Sequence, residues 1–316
     1  MFMMDYFSVI IVYLVMIIFV LVGVSFFVLM ERKVLGYVHV RKGPNKVGYL
    51  GIIQSFSDFI KLISKEGIYP LMSNKFMYSI FPMINFSFSL FIWVVIPLFS
   101  GLMNFSLGVL FIFCCSSMVV YTVIISGWSS NSNYSLIGCL RGVAQLVSYE
   151  VSFFLVLMSF LVFMSSLSLI DFYSFQSCVW FCFFSLPLMF VWYFCMLAET
   201  SRVPFDFAEC ESELVSGFNV EYSGLGFTYI FLGEYIMIVF MSMLFGIVFL
   251  GADFLNFFFF LLVVFTSFSL ILVRGVLPRF RYDVLMKLCW QSFLPVSLNY
   301  LFFFFGLKII FFVSLC

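Results

Sequence analysis

The sequence predicts an all-α integral membrane protein: eight transmembrane helices in one bundle domain over residues 1–316, with an interfacial amphipathic helix and long loops on one side. Three observations predict it. First, 65% of the residues are hydrophobic, 9% are charged and the mean hydropathy is +1.21, which leaves too little polar surface to solvate a globular exterior. Second, the apolar residues gather in stretches of about 20, the length that crosses a bilayer core as a helix. Third, fourteen of the fifteen Lys and Arg residues fall in alternate gaps between those stretches; Lys308, inside the last one, is the exception.

Taken in order, the spans are 6–29, 77–99, 105–126, 143–170, 178–198, 227–250, 254–273 and 292–313. The gaps after spans one, three, five and seven hold eight, one, one and four bases, whereas those after spans two, four and six hold none. Positively charged loops stay on the cytoplasmic or matrix side, so the long loops belong there and both termini lie opposite. Pro187 in mid-span five, and Pro82 and Pro295 near span starts, are expected to kink helices without breaking the bundle. No repeat of 20–50 residues and no pair of matched broken helices marks an inverted-repeat transporter.

Several function classes are excluded. Net charge is zero and no basic arm is present, which argues against a nucleic-acid partner. Nine cysteines are scattered without Cys-x-x-Cys spacing, and a single histidine, His39, accompanies them, so no metal, haem or iron–sulfur ligand set is expected. The chain opens directly on an apolar span without an Arg-rich presequence, as expected of a product inserted where it is made. Fifty phenylalanines on all faces of the spans point to an A/T-rich, organelle-type coding genome and not to an aromatic cofactor site.

The first inside loop contains Gly43-Pro44-Asn45, a turn signal with Pro in its favoured second position. Beyond it Ile52, Ile53, Phe56, Ile60 and Ile63 recur at helical spacing, with Gln54, Ser57, Asp58, Lys61 and Lys65 between them, which predicts an amphipathic helix lying along the interface or against a partner. Arg32, Lys33, Arg41, Lys42 and Lys46 read as topological anchors at lipid headgroups. Asp58 has no such explanation, and His39 is given no role.

The third inside loop holds Glu199, Asp206, Glu209, Glu211, Glu213 and Glu221 against a single base, Arg202. If Pro204 opens a helix, steps of about 100° place Arg202, Asp206, Glu209 and Glu213 within about 60° of one another and turn Glu211 away. A solvated acidic face is the bland alternative; the interleaved Phe205, Phe207, Leu214, Val215 and Phe218 weigh against it. Two further acids lie inside spans: Glu150 and Glu234 are each expected about two turns, roughly 11 Å, from the inner surface. Glu199 closes span five at that level, with Arg141 and Tyr149 nearby in sequence. A carboxylate at such depth costs several kcal/mol unless paired, hydrated or protonated. Each is therefore a proton-relay candidate, the alternative being a structural pair with Arg141, Arg202 or Arg274.

The segments ERKVLGYVHVRKGPNKVGYLG, RGVAQLVSYE, AETSRVPFDFAECESELVSGFNVEYSG and RGVLPRFRYD resemble the family of the first membrane subunit of respiratory NADH:quinone oxidoreductase, complex I, over nearly the whole chain. Cys210 stands where Gly or Ala is expected between the acids. The resemblance implies a core subunit of a mitochondrial inner-membrane oxidoreductase, multi-pass, with termini on the intermembrane-space side and long loops in the matrix. It implies a quinone chamber sealed against peripheral iron–sulfur subunits, bordered by Arg32, Arg41, Asp58, Phe218 and Phe227. It further implies a coupling file of Glu31, Glu150, Glu199, Asp206, Glu209, Glu211, Glu213, Glu221 and Glu234, accompanied by Arg141, Arg202 and Tyr149. Ubiquinone would be the substrate; NADH, FMN and iron–sulfur clusters would sit in partner subunits, with no cofactor or complete catalytic site in this chain alone. Neighbouring membrane-arm subunits and lipids complete the implied partners. The rival readings are the membrane anchor of an ion-translocating hydrogenase, a stand-alone proton or cation channel, and a purely structural scaffold.

Overall fold

A computed structural model describes residues 2–97, 105–208, 214–254 and 256–315. Its first helix, α1 (Phe2–Val38), runs beyond the predicted end of its span because Glu31, Arg32 and Lys33 are compatible with helix. It stops where Val40 turns left-handed: Val40 N–H donates to Tyr37 O (3.0 Å) and Arg41 N–H to Gly36 O (2.8 Å), closing the last carbonyls. The amphipathic segment forms α2 (Gln54–Ser64) as expected, with Phe56 edge-on to Phe26 of α1 at 5.8 Å. Then follow α3 (Lys75–Phe91), with Pro82 inside it, and α4 (Gly108–Ser129).

Helix α5 (Asn133–Met164) begins ten residues before the predicted start at 143 and ends at Ser165, in left-handed conformation, instead of at 170. Its extra turns are held by the acidic loop: a Cβ on Gly138 would meet Gly217 Cα at 2.8 Å, and one on Gly142 would meet Ala208 Cβ at 3.0 Å. Glycine at these two positions lets loop backbone lie directly on the helix. About 26 Å of helix precede Glu150.

Short helices α6 (Asp171–Phe175) and α7 (Phe181–Phe184) lead to α8 (Leu186–Glu199). Span five, predicted as one helix, is broken at Ser185, and Pro187 occupies the first turn of α8 instead of mid-helix. Proline cannot supply the amide needed inside a helix but suits its opening turn, so the break falls where the ring starts a new one. The 14 residues of α8 reach about 21 Å, short of a hydrocarbon core of about 30 Å. Next come α9 (Gly224–Phe249), α10 (Phe257–Val276), α11 (Tyr282–Lys287) and α12 (Leu294–Leu315). The last two are fused by a π-helical segment, Leu288–Phe293, whose wide turn accommodates Pro295. Among the described residues, seven helical runs have the length and apolarity to cross a membrane, where eight were expected; no β-strand occurs among them. The architecture is that of an all-α membrane protein.

The loops gather at two ends. At one, Asn74 N–H donates to Ser129 O (3.0 Å), Ile68 N–H to Ser223 Oγ (2.9 Å) and Phe280 N–H to Pro204 O (3.1 Å), which ties together all four base-bearing connections. At the other, Val109 N–H meets Leu167 O (3.2 Å), and the Gln176 amide donates to Ile247 O and Val248 O (3.0 and 2.9 Å). Base-bearing and base-free connections thus segregate as the charge alternation requires. Between the ends, Trp192, Phe160, Phe240 and Phe249 are completely or almost completely buried in one continuous core. Lys308 is accommodated by donating to Val162 O (2.7 Å), a carbonyl in the last turn of α5 that has no helical partner.

Gln145 on α5 is fully buried and donates to Ala198 O (2.8 Å) and Phe205 O (2.6 Å), fastening the end of α8 and the following turn to α5. Gln145→Leu removes both side-chain donations and leaves each carbonyl a backbone donor, Ser201 N–H on Ala198 O and Phe207 N–H on Phe205 O. We expect a loss of about 1–3 kcal/mol, read as a lowered thermal midpoint of the assembled protein; an unchanged midpoint would remove this residue from the fastening.

Candidate functional site

The turn after α8 is short and carries the site's geometry. Ser201 adopts a left-handed conformation (φ 49°), and Phe205 N–H donates to Arg202 O (2.7 Å), closing a turn around Val203 and Pro204. The helix expected to open at Pro204 is therefore not formed over residues 201–208. Arg202 and Asp206, placed on one helical face by the sequence argument, instead reach different partners: Asp206 pairs with Arg279 (2.9 Å) and Arg202 with Glu31 (3.2 Å). Glu209, Glu211 and Glu213, on which the rest of that argument rested, lie outside the described residues, as does Cys210.

Glu31 is the most heavily compensated acid described. It is 5% exposed, accepts from Arg202 and Arg274, and receives the Tyr235 hydroxyl at 2.5 Å. The Arg202 guanidinium also lies over the Tyr235 ring, 4.3 Å from its centroid. Four segments of the chain, α1, the turn after α8, α9 and α10, converge on one carboxylate. Such a group stays ionised because two positive charges and a hydroxyl replace the water it lost. This is the structural pairing foreseen for Arg202 and Arg274, and it falls on Glu31.

Behind the clamp the same turn faces inward. Glu199, Thr200 and Ser201 line a cavity of about 40 Å³ with Glu234 of α9, Asn85 of α3 and Phe218. At roughly 10–15 Å³ per water, that space suits a few molecules. Asn85 accepts from Thr122 Oγ1 (3.0 Å), which fixes one polar wall. Glu150 on α5 lies within electrostatic reach of Glu199, and Ser116 of α4 is its hydroxyl neighbour. Among the described residues no Lys or Arg forms an ion pair with Glu150 or Glu199. The expected gathering of Glu150, Glu199 and Glu234 is present, although the extended start of α5 changes how it is reached.

The remaining predicted residues separate. Arg32 pairs with Asp58, whose other oxygen accepts from Gln54 Nε2 (2.9 Å), so α2 is latched to the end of α1; Arg41 is exposed on the loop between them. Phe227 is half-buried and stacks on Phe231 at 5.7 Å. Glu221 offers its backbone carbonyl to the Tyr78 hydroxyl (2.5 Å). Tyr222 beside it stacks on Tyr78 at 4.2 Å, and burial pushes its phenol up to about 12 despite hydrogen bonds to Ser129 and Ser126, so it remains a neutral donor. Arg141 is half-buried on α5. Tyr149 does not line the acid cavity: it is fully buried between Phe205 (5.7 Å) and Phe293 (6.1 Å). The sequence reading missed Tyr235, Arg279, Gln145 and Asn85 and named Arg274 only as a pairing partner. Arg274 and Arg279 bracket RGVLPR, and a search for bases matching each buried acid would have found them.

A polytopic all-α membrane protein with one clamped carboxylate at its basic end and a carboxylate-lined cavity beneath it is a membrane subunit organised around ionisable groups. Its family is the NADH dehydrogenase family, to which the chain belongs: the family model matches residues 11–305. The chain is 60% identical over 302 residues to NADH-ubiquinone oxidoreductase chain 1 of Anopheles gambiae, covering 96% of each chain. It is 56% identical to the protein of the same name from Locusta migratoria, covering 98% of this chain and 99% of that one, and 44% identical to that of Papio hamadryas, covering 90% and 92%.

The clamp predicts a specific energetic pattern. Glu31→Gln leaves two guanidinium groups against each other and should cost about 3–5 kcal/mol, whereas adding Arg274→Gln should recover part of that loss. A double-mutant cycle on thermal stability measures this; strict additivity would mean that the pair contributes no coupling.

Proposed function

We propose that this chain is the core membrane subunit of a proton-translocating NADH:ubiquinone oxidoreductase, complex I, in the mitochondrial inner membrane. The observation that carries the coupling role is the shared cavity of Glu199 and Glu234, with Glu150 in electrostatic reach. An isolated carboxylate in a membrane interior is unfavourable when ionised and tolerable when hydrated, paired or protonated. Three acids this close in an apolar surrounding cannot all be charged at once without penalty. A change of charge at one end of the group therefore shifts protons along it.

The turn 199–202 connects that group to the clamp. Glu199 through Ser201 face the cavity, and Arg202, one residue on, is held by Glu31. A quinone reduced against the inner loops changes charge near Arg202, Arg32 and Asp58, and a displacement of Arg202 moves the backbone that carries Glu199. In this reading Glu31 anchors the device and Glu150, Glu199 and Glu234 exchange protons. Asp206, Glu209, Glu211, Glu213 and Glu221 extend the acidic path toward the chamber, beside Arg141. Arg32, Arg41, Asp58, Phe218 and Phe227 border the chamber, where the latch of α2 on α1 supplies a wall at the membrane surface. NADH, FMN and iron–sulfur clusters belong to partner subunits, and the substrate of this chamber is ubiquinone. The base-rich end faces the matrix, and both termini face the intermembrane space.

Two outcomes are expected. Glu199→Gln and Glu234→Gln in fully assembled complex should lower protons translocated per electron while leaving the chamber's shape intact, and Glu150→Gln should do the same; wild-type stoichiometry in all three would leave these acids structural. Cys178, an exposed thiol at the base-free end, should react with an impermeant maleimide from the intermembrane-space side. Reaction from the matrix side alone would invert the assigned orientation.

A further inference from the structure

A second cavity, of about 250 Å³, lies at the opposite, base-free end of the bundle. Its walls include Tyr173, Trp180, Phe258 and Leu262, together with Asn256 and Asp253, one oxygen of which accepts from Asn256 Nδ2. This volume falls below the roughly 300–1,000 Å³ of pockets that enclose a whole drug-sized ligand, so it suits a headgroup. The site is built. The Gln176 side chain donates to Ile247 O and Val248 O and accepts from Gly251 N–H (2.8 Å), which fixes the floor to α9. Gly251 has φ 88°, and a Cβ there would lie 2.7 Å from Trp180 Nε1, so the indole keeps its place only over glycine.

Charge and chemistry select the ligand. The connections at this end, after spans two, four and six, contain no Lys or Arg, whereas Asp171 and Asp253 are both there. The Ser168 hydroxyl beside Asp171 holds that carboxyl below the usual carboxylate range, so this end is negative. Aromatic faces beside a carboxylate attract a large, weakly hydrated cation through the ring quadrupole. Below the cavity Phe258, Leu261 and Phe265 form an exposed apolar stripe on α10, at the spacing of one helical face and at 59%, 49% and 67% exposure. A ligand with a cationic head and an acyl chain satisfies both surfaces.

We propose that this cavity binds the quaternary ammonium headgroup of a zwitterionic phospholipid, with its chain laid along α10. The test uses the delipidated, assembled membrane complex and phosphatidylcholine carrying a photoreactive group near its glycerol, with phosphatidylglycerol of the same chain as control. Phosphatidylcholine should label peptides covering 173–180 and 250–262 about tenfold more than the control, the scale of one desolvated cation–aromatic contact. Trp180→Leu and Asp253→Asn should each lower that labelling, while Trp180→Phe, which keeps an aromatic face, should retain it at equal assembly. Equal labelling by the two lipids would overturn the proposal. So would labelling that excess tetramethylammonium leaves unchanged, because the cavity would then not be holding the quaternary ammonium group. Absence of labelling at these peptides in the assembled complex would overturn it too.

Discussion

The clamp on Glu31 is the constraint around which the base-rich end is arranged. A carboxylate 5% exposed in an apolar bundle is not tolerated alone, and its compensation comes from residues 171, 204 and 243 positions away along the chain. Meeting that requirement brings the ends of α1 and α10 to the middle of α9 and pulls the turn after α8 against them. The turn is then fastened from its other face by Gln145, and Asp206 is fixed by Arg279. With two guanidinium groups gathered on one buried carboxylate, the cluster responds to any new negative charge that approaches from the loops.

Position along the turn turns this constraint into a functional arrangement. Glu199 and Arg202 are three residues apart, so the clamp and the acid cavity share one rigid piece of backbone. A coupling device needs two sites biased by a common element, and in the proposed function that element is the short segment itself. Asn85 and Thr122 give the cavity a fixed polar wall, whereas Phe218 and Met237 keep most of its lining apolar. Protons held there have few alternative acceptors.

Hydropathy and charge spacing are local properties, which is why the apolar runs, the amphipathic α2 and the two-ended sorting of the loops were legible in the sequence. Helix ends were less so. The long start of α5 depends on Gly138 meeting Gly217 and Gly142 meeting Ala208, and the break at Ser185 on the strong preference of Pro187 for an opening turn. Pro204 carries the same signal in the sequence, but there the chain makes a turn, because Arg202 and Asp206 are drawn to separate partners. The gathering of Glu150, Glu199 and Glu234 was readable because spans four and six enter from the end at which Glu199 closes span five. The pairing of Glu31 was not, since nothing near it in sequence names Arg274 or Tyr235.

The central claim is that Glu199 changes protonation when quinone is reduced at the neighbouring loops. Redox-triggered infrared difference spectroscopy on the assembled complex tests it directly, because protonated and ionised carboxyl groups absorb in separate regions. The account predicts a carboxyl band that appears or disappears on quinone reduction and is absent in Glu199→Gln; a difference spectrum unchanged by that substitution would contradict it.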